Sequence, residues 1–166
     1  MAIKRSELKS ELRKALKNSE IVPYFQPMVG IRTGTLEGFE FLARWLHPQR
    51  GTIQPDVFIP FAEQEALIGE LTETILLQAL AATVSLKKGL CISVNISPIQ
   101  LRDSSLSEEI ARAADMAAFP LNQLTIEITE SALVDNLDLA ASIATKLKQL
   151  GAKIALDDFG TGYSCL

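Results

Sequence analysis

Apolar residues recur at helical spacing from Ser6 to Asn18, where Leu8, Leu12, Ala15 and Leu16 share one face and Lys and Glu hold the other. This predicts an amphipathic helix. The apolar run Ile21-Val22-Pro23-Tyr24-Phe25 reads as a short strand or sheet edge, given its proline. Arg32-Thr33-Gly34-Thr35 reads as a hairpin turn, and strands joined so closely must be antiparallel. From Leu36 the pattern repeats. Strands are predicted at Leu36–Trp45, Leu90–Ile96, Leu124–Thr129 and Lys153–Asp157. Between them, Pro48 to Pro60 reads as a Gly/Pro-rich loop, and Phe61 to Leu86 as a helical stretch broken near Gly69. Ser105-x-x-Glu108 reads as a capping box that opens a helix to about Ala118, ended by Phe119-Pro120. A helix from Leu137 to Leu150 closes on Gly151 as its C-cap. Strand and helix alternating at these lengths mean βαβ units and a parallel sheet, either doubly wound or curled into a barrel.

Side chains alternate faces along a strand. Glu40, Leu42 and Arg44 therefore share a face, opposite Phe39, Phe41, Ala43 and Trp45. Asn95 lies with Ser93 and Cys91, Glu127 with Thr125 and Thr129, and Asp157 with Ala155, with Asp158 next in the chain. Strands of a parallel sheet normally read as near-continuous apolar runs. Here each carries an acid or amide at or near its C-terminal end, where α/β folds bind their ligands. Carboxylates converging there would repel one another unless a cation lay between them. An all-oxygen donor set, without histidine or thiolate, favours Mg²⁺ or Mn²⁺ over Zn²⁺. Two such ions are the usual apparatus of phosphodiester hydrolysis. The competing reading of any one acid at a strand end is a turn former or helix cap.

Composition narrows the class. The 166 residues are 48% hydrophobic and 22% charged, which fits one soluble globular domain. A net charge of −4 leaves no broad basic footprint for a nucleic-acid polymer. No apolar run reaches the roughly 18 residues of a membrane segment, and the charged N-terminus is unlike a secretory signal. Cys91 and Cys165 form no CxxC motif, so a reduced, cytoplasmic chain is expected, with Cys91 packed as a small hydrophobe. His47, between Leu46 and Pro48, reads as a surface-loop residue. The length sits below the roughly 250 residues of a typical barrel.

Five blocks, in order, then give a family likeness: Tyr24-Phe25-Gln26-Pro27-Met28-Val29, Gly38-Phe39-Glu40-Phe41-Leu42-Ala43-Arg44-Trp45, Asn95-Ile96-Ser97-Pro98-Ile99-Gln100-Leu101, Glu127-Ile128-Thr129-Glu130-Ser131 and Asp157-Asp158-Phe159-Gly160-Thr161-Gly162-Tyr163-Ser164. From about residue 20 onward the chain resembles the EAL-domain family, the cyclic-di-GMP phosphodiesterases of bacterial second-messenger signalling. The resemblance implies an α/β fold, a TIM-like (β/α)8 barrel with an irregular antiparallel first strand. The barrel is expected to be incomplete, with residues 1–19 an N-terminal helix and 20–166 a truncated EAL domain. It implies Mg²⁺- or Mn²⁺-dependent hydrolysis of cyclic-di-GMP to linear pGpG. Glu40, Asn95, Glu127, Asp157 and Asp158 match the family's metal ligands, with Glu40, Asp157 and Asp158 at the catalytic centre. Arg44 matches the arginine that holds a substrate phosphate, Gln26 and Leu42 lie where the family contacts the nucleotide, and Glu130 matches a glutamate that braces its loop.

Two departures follow. The signature Glu-Ala-Leu reads Glu40-Phe41-Leu42, and alternation turns Phe41 away from Glu40 toward the helices. Phe41→Ala in a full-length version is thus expected to leave metal affinity nearly unchanged; a gain of about tenfold, 1.4 kcal/mol, would contradict this. The family's later lysine, glutamate and glutamine fall past Leu166, so this chain alone is expected to be catalytically dead or nearly so. An unpaired edge at Lys153–Asp157 would template a homodimer or strand-exchanged oligomer. The alternative is a degenerate EAL module that binds a protein partner or cyclic-di-GMP without catalysis.

Overall fold

A computed structural model describes residues 5–84, 89–129 and 137–157. In chain order the elements are α1 (Arg5–Lys17), β1 (Ile21–Val29), β2 (Leu36–His47), β3 (Gly51–Ile53), α2 (Pro55–Gln64), α3 (Ile68–Thr83), β4 (Cys91–Ile96), α4 (Leu106–Met116), β5 (Leu124–Thr129), α5 (Leu137–Gln149) and β6 (Lys153–Asp157). The sheet runs β1-β2-β4-β5-β6, with the short β3 also on β2. β1 and β3 pair antiparallel with β2; β2, β4, β5 and β6 are mutually parallel. Each new parallel strand is added beside the last. A doubly wound sheet would reverse direction at a switch point. The progressive order is that of a barrel wall, open among the described residues, with β1 and β6 at its two ends.

One face of the wall is apolar for the reason alternation gave. Phe41, Trp45, Ile92, Val94, Ile96, Leu124, Ile126 and Ile128 are buried there against Leu12, Phe58, Leu76, Leu80, Ile110, Ile143 and Leu147 of the helices. Each such side chain contributes about 1.5–3 kcal/mol by leaving water. Phe41 is 5% exposed on this helix side, which is where its departure from the signature was expected to act. The opposite face carries Glu40, Leu42, Arg44, Ser93, Asn95, Thr125 and Glu127.

Several expectations are corrected. The stretch Pro48 to Pro60 is not all loop: it holds β3 and the start of α2. Pro55 stands at the first helical position, where no N–H is needed. Pro60 lies inside α2, where burial of Phe58, Phe61 and Ala62 overrides its poor helix propensity. The helix break falls at Ala66, not at Gly69. Ala66 takes the left-handed conformation (φ 55°) and the Leu67 N–H closes back on the Ala62 carbonyl at 2.8 Å. β1 runs on to Val29 through Pro23 and Pro27, which its terminal place in the sheet tolerates. His47 is no surface-loop residue. It ends β2 at 8% exposure, packed 5.4 Å from the Trp45 ring, and its Nδ1 accepts the Gln49 N–H at 3.1 Å.

The capping box is also replaced. Ser105 makes no side-chain cap bond to the helix backbone. Instead Asp103 Oδ1 accepts the Ser105 N–H at 2.9 Å and the Ser105 hydroxyl at 2.7 Å. The backbone N–H, then the hydroxyl, holds the Asp103 carboxyl below the usual carboxylate range. A depressed native pKa stabilises above the unfolded value of about 3.9 and is lost as pH falls through the native one. Asp103→Ala is therefore expected to lower the melting temperature by about 2 °C at pH 7, with the gap closing as the pH drops below about 3.9. Thermal melts of both chains across pH 3 to 7 check it; a gap independent of pH would contradict it.

Candidate active site

The β1–β2 ladder sets Gln26 opposite Glu40 and Tyr24 opposite Leu42. Across β2, Glu40 is level with Ser93 of β4, and Asn95 lies two residues further on. Asn95 is level with Glu127 of β5, and Thr129, two residues beyond Glu127, is level with Asp157 of β6. Barrel strands tilt by about 36°, so positions at one height advance along successive strands. This stagger keeps Glu40, Asn95, Glu127 and Asp157 in one band at the C-terminal rim. Glu130 and Asp158 lie outside the described residues.

A side-chain contact joins two members of this band. Asn95 Nδ2 donates to Glu40 Oε1 at 2.7 Å, across the β2–β4 seam. The amide gives one N–H to the carboxylate and keeps its oxygen as an acceptor. Glu40 and Glu127 are half-buried and Asn95 is exposed. The donor atoms are all oxygen, which fits Mg²⁺ or Mn²⁺. Among the described residues, no three His, Cys, Asp or Glu side chains stand grouped as a metal site; Asn95 is outside that count.

Arg44 lies two positions beyond Leu42 on the same face. Its Nη1 donates to the Ala43 carbonyl at 2.8 Å, and its guanidinium carbon stands 5.9 Å from the centre of the Tyr24 ring. The ring and carbonyl restrict a long side chain while leaving further N–H groups for a ligand. Tyr24 was not singled out from sequence; its place two residues before Gln26 was the available signal.

Sequence reasoning also missed a cavity. β2 pairs with β4 only from Gly38 to Phe41, after which β3 takes the same side of β2. The strands part, leaving a space of about 340 Å³ walled by Leu42, Ile59, Ile68, Ile75 and Val94, with Asn95 at its margin. Its polar lining includes Glu63, Thr72, Ser97, Gln100 and Thr129. Cys91, expected in the core, is instead half-buried with the Lys153 Nζ 3.3 Å from its Sγ.

An open parallel wall with its strands added in order and helices on one face defines an α/β protein of the TIM-barrel class. Residues 9–166 match the EAL domain model, and the chain belongs to that family. It is 39% identical over 162 residues to the cyclic di-GMP phosphodiesterase PdeR of Escherichia coli (strain K12), covering 96% of this chain and 24% of that protein. It is 40% identical over 162 residues to an uncharacterized protein, y4lL, of Sinorhizobium fredii (strain NBRC 101917 / NGR234), covering 98% of this chain and 20% of the relative. The chain thus spans a fifth to a quarter of these curated relatives' length. Among solved structures, a PaMucR phosphodiesterase in complex with c-di-GMP superposes with a TM-score of 0.88 at 34% identity, covering 96% of this chain and 66% of that one. No described helix is long and apolar enough to cross a membrane.

Proposed function

We propose that this chain carries the cyclic-di-GMP site of a divalent-metal-dependent phosphodiesterase, which hydrolyses one phosphodiester bond to give linear pGpG. The observation that carries the reading is the Asn95–Glu40 contact at the rim, with Arg44 further along the Glu40 strand. Glu40, Asn95 Oδ1 and Glu127, with Asp157 and Asp158 from the family likeness, would hold Mg²⁺ or Mn²⁺. A cation held there would supply neutralisation of phosphate charge and activation of water at neutral pH.

The chain's own residues orient the substrate. The Arg44 guanidinium, steadied by Tyr24 and the Ala43 carbonyl, offers paired N–H groups to phosphate oxygens. Leu42 and Gln26 face the nucleotide from the open side of β2 and β1. The family likeness assigns Glu130 the bracing of its own loop. The c-di-GMP held by a structural neighbour supports this assignment of substrate. The free thiol of Cys91 is compatible with a cytoplasmic setting.

The test is incubation of the chain with cyclic-di-GMP and Mn²⁺, followed by chromatographic separation of the nucleotides. Linear product that disappears with EDTA supports the reading. Metal-dependent binding without product also supports the site, whereas binding that EDTA leaves unchanged favours a receptor without catalysis. Neither binding nor product would overturn both.

A further inference from the structure

Asn95 is paired by the ladder on one side only. The β2–β4 pairing ends at Val94, while β5 accompanies β4 to Ile96. The angle at which the Asn95 amide meets Glu40 therefore depends on what catches the chain as it leaves β4. The catch is Ser97. Its backbone N–H donates to Gln100 Oε1 at 3.3 Å, and its carbonyl accepts the Gln100 N–H at 3.0 Å. Gln100, 6% exposed, also accepts the Thr72 hydroxyl of α3 at 3.2 Å. The Ser97 hydroxyl donates to the Glu63 carboxylate of α2. Two helices thus grip the strand exit, one through a buried amide and one through a carboxylate.

The carboxylate calls for a reason. Glu63 stands at a largely apolar cavity beside Ile59, Ile68 and Leu42, where an aliphatic side chain would avoid its desolvation cost. A charged acceptor makes a shorter, stronger bond to a hydroxyl than a neutral one. We propose that Glu63 is a positioning residue for Asn95: by holding the Ser97 hydroxyl it fixes the exit of β4, and with it the orientation of the Asn95 amide toward Glu40. The inference rests on the reading of Glu40 and Asn95 as cation-holding residues. In this role Glu63 acts on the Asn95 amide through Ser97.

The test compares Glu63→Ala, Glu63→Gln, Ser97→Ala and the Glu63→Ala/Ser97→Ala double variant with the parent, each as the full chain. The Asn95 side-chain amide protons are followed by ¹⁵N NMR without metal, and Mn²⁺ affinity by calorimetry. Both alanine variants are expected to shift the Asn95 amide resonances toward free-amide values and to weaken Mn²⁺ binding by about tenfold, as loss of an outer supporting group does. The double variant is expected to be no worse than either single one, because one bond is lost in each case. Glu63→Gln retains an acceptor oxygen and is expected to stay within about threefold of the parent, weakened only by the lost charge. Unchanged Asn95 resonances in folded Glu63→Ala would overturn the proposal. Should Glu63→Ala not fold, Ser97→Ala, which removes a single oxygen, carries the same two outcomes. If the parent takes up no Mn²⁺, the metal reading fails, and the metal-free NMR comparison still decides the positioning role.

Discussion

Glu40→Ala is expected to lower Mn²⁺ affinity by at least about 100-fold, above the usual loss for an outer supporting group. The melting temperature is expected to move by no more than about 2 °C, because the side chain is half-buried on the open face and contributes nothing to the helix-side core. The substitution removes a carboxylate and also the acceptor that orients the Asn95 amide. Glu37→Ala supplies the control: this glutamate lies on the same strand but is exposed near the β1–β2 turn. Calorimetric titration with Mn²⁺, together with a thermal melt, separates the two effects. A Glu40→Ala chain that binds Mn²⁺ within about threefold of the parent would remove Glu40 from the ligand set.

Gly38→Ala is expected to have the largest effect on stability, a loss of about 3 kcal/mol or more. Gly38 lies level with Cys91 across the seam between β2 and β4. A Cβ there would stand 2.1 Å from the Cys91 carbonyl oxygen and 2.9 Å from Met28 Cε. The first of these is backbone in a paired strand and cannot swing aside. Relief requires the two strands to part, two residues before Glu40, at the seam the Asn95–Glu40 contact spans. Urea denaturation followed by Trp45 fluorescence measures the loss. A change below about 0.5 kcal/mol, the range of ordinary surface substitutions, would contradict the close approach.

How far the sequence could be read depended on whether a feature was local. β5 and β6 begin and end where expected, because Leu124–Thr129 carries a clean two-residue period and Lys153–Asp157 is a short apolar run between polar ends. Gly151 also ends its helix as expected, with φ 107° and the Ala152 N–H closing on the Leu147 carbonyl. α4 starts where expected, with Ser105 at its N-cap, but the capping bonds are not the expected ones. Ser105-x-x-Glu108 has the form of a capping box, but Asp103 binds Ser105 first, and Glu108 bonds Ser107 instead. β3 is three residues long and is held by pairing with Trp45, Leu46 and His47, which no local pattern announces.

The site divides in the same way. The facing of Glu40, Asn95 and Glu127 was legible from alternation, and their band follows from strand register. The cavity was not legible, since it arises where β2 and β4 separate. Glu63 was passed over because a glutamate on a helix ordinarily reads as solvent-facing. Only its approach to Ser97, 34 residues away in the chain, shows otherwise.

Equilibrium dialysis of cyclic-di-GMP against the chain, with Mn²⁺ and then with EDTA, tests the central claim most directly. The account predicts nucleotide retained with Mn²⁺, released by EDTA, and weakened by tenfold or more in Arg44→Ala, about 1.4 kcal/mol for a charge-assisted phosphate contact. A Mn²⁺-saturated chain that retains no cyclic-di-GMP, or one that retains it equally after Arg44→Ala and EDTA, would contradict it.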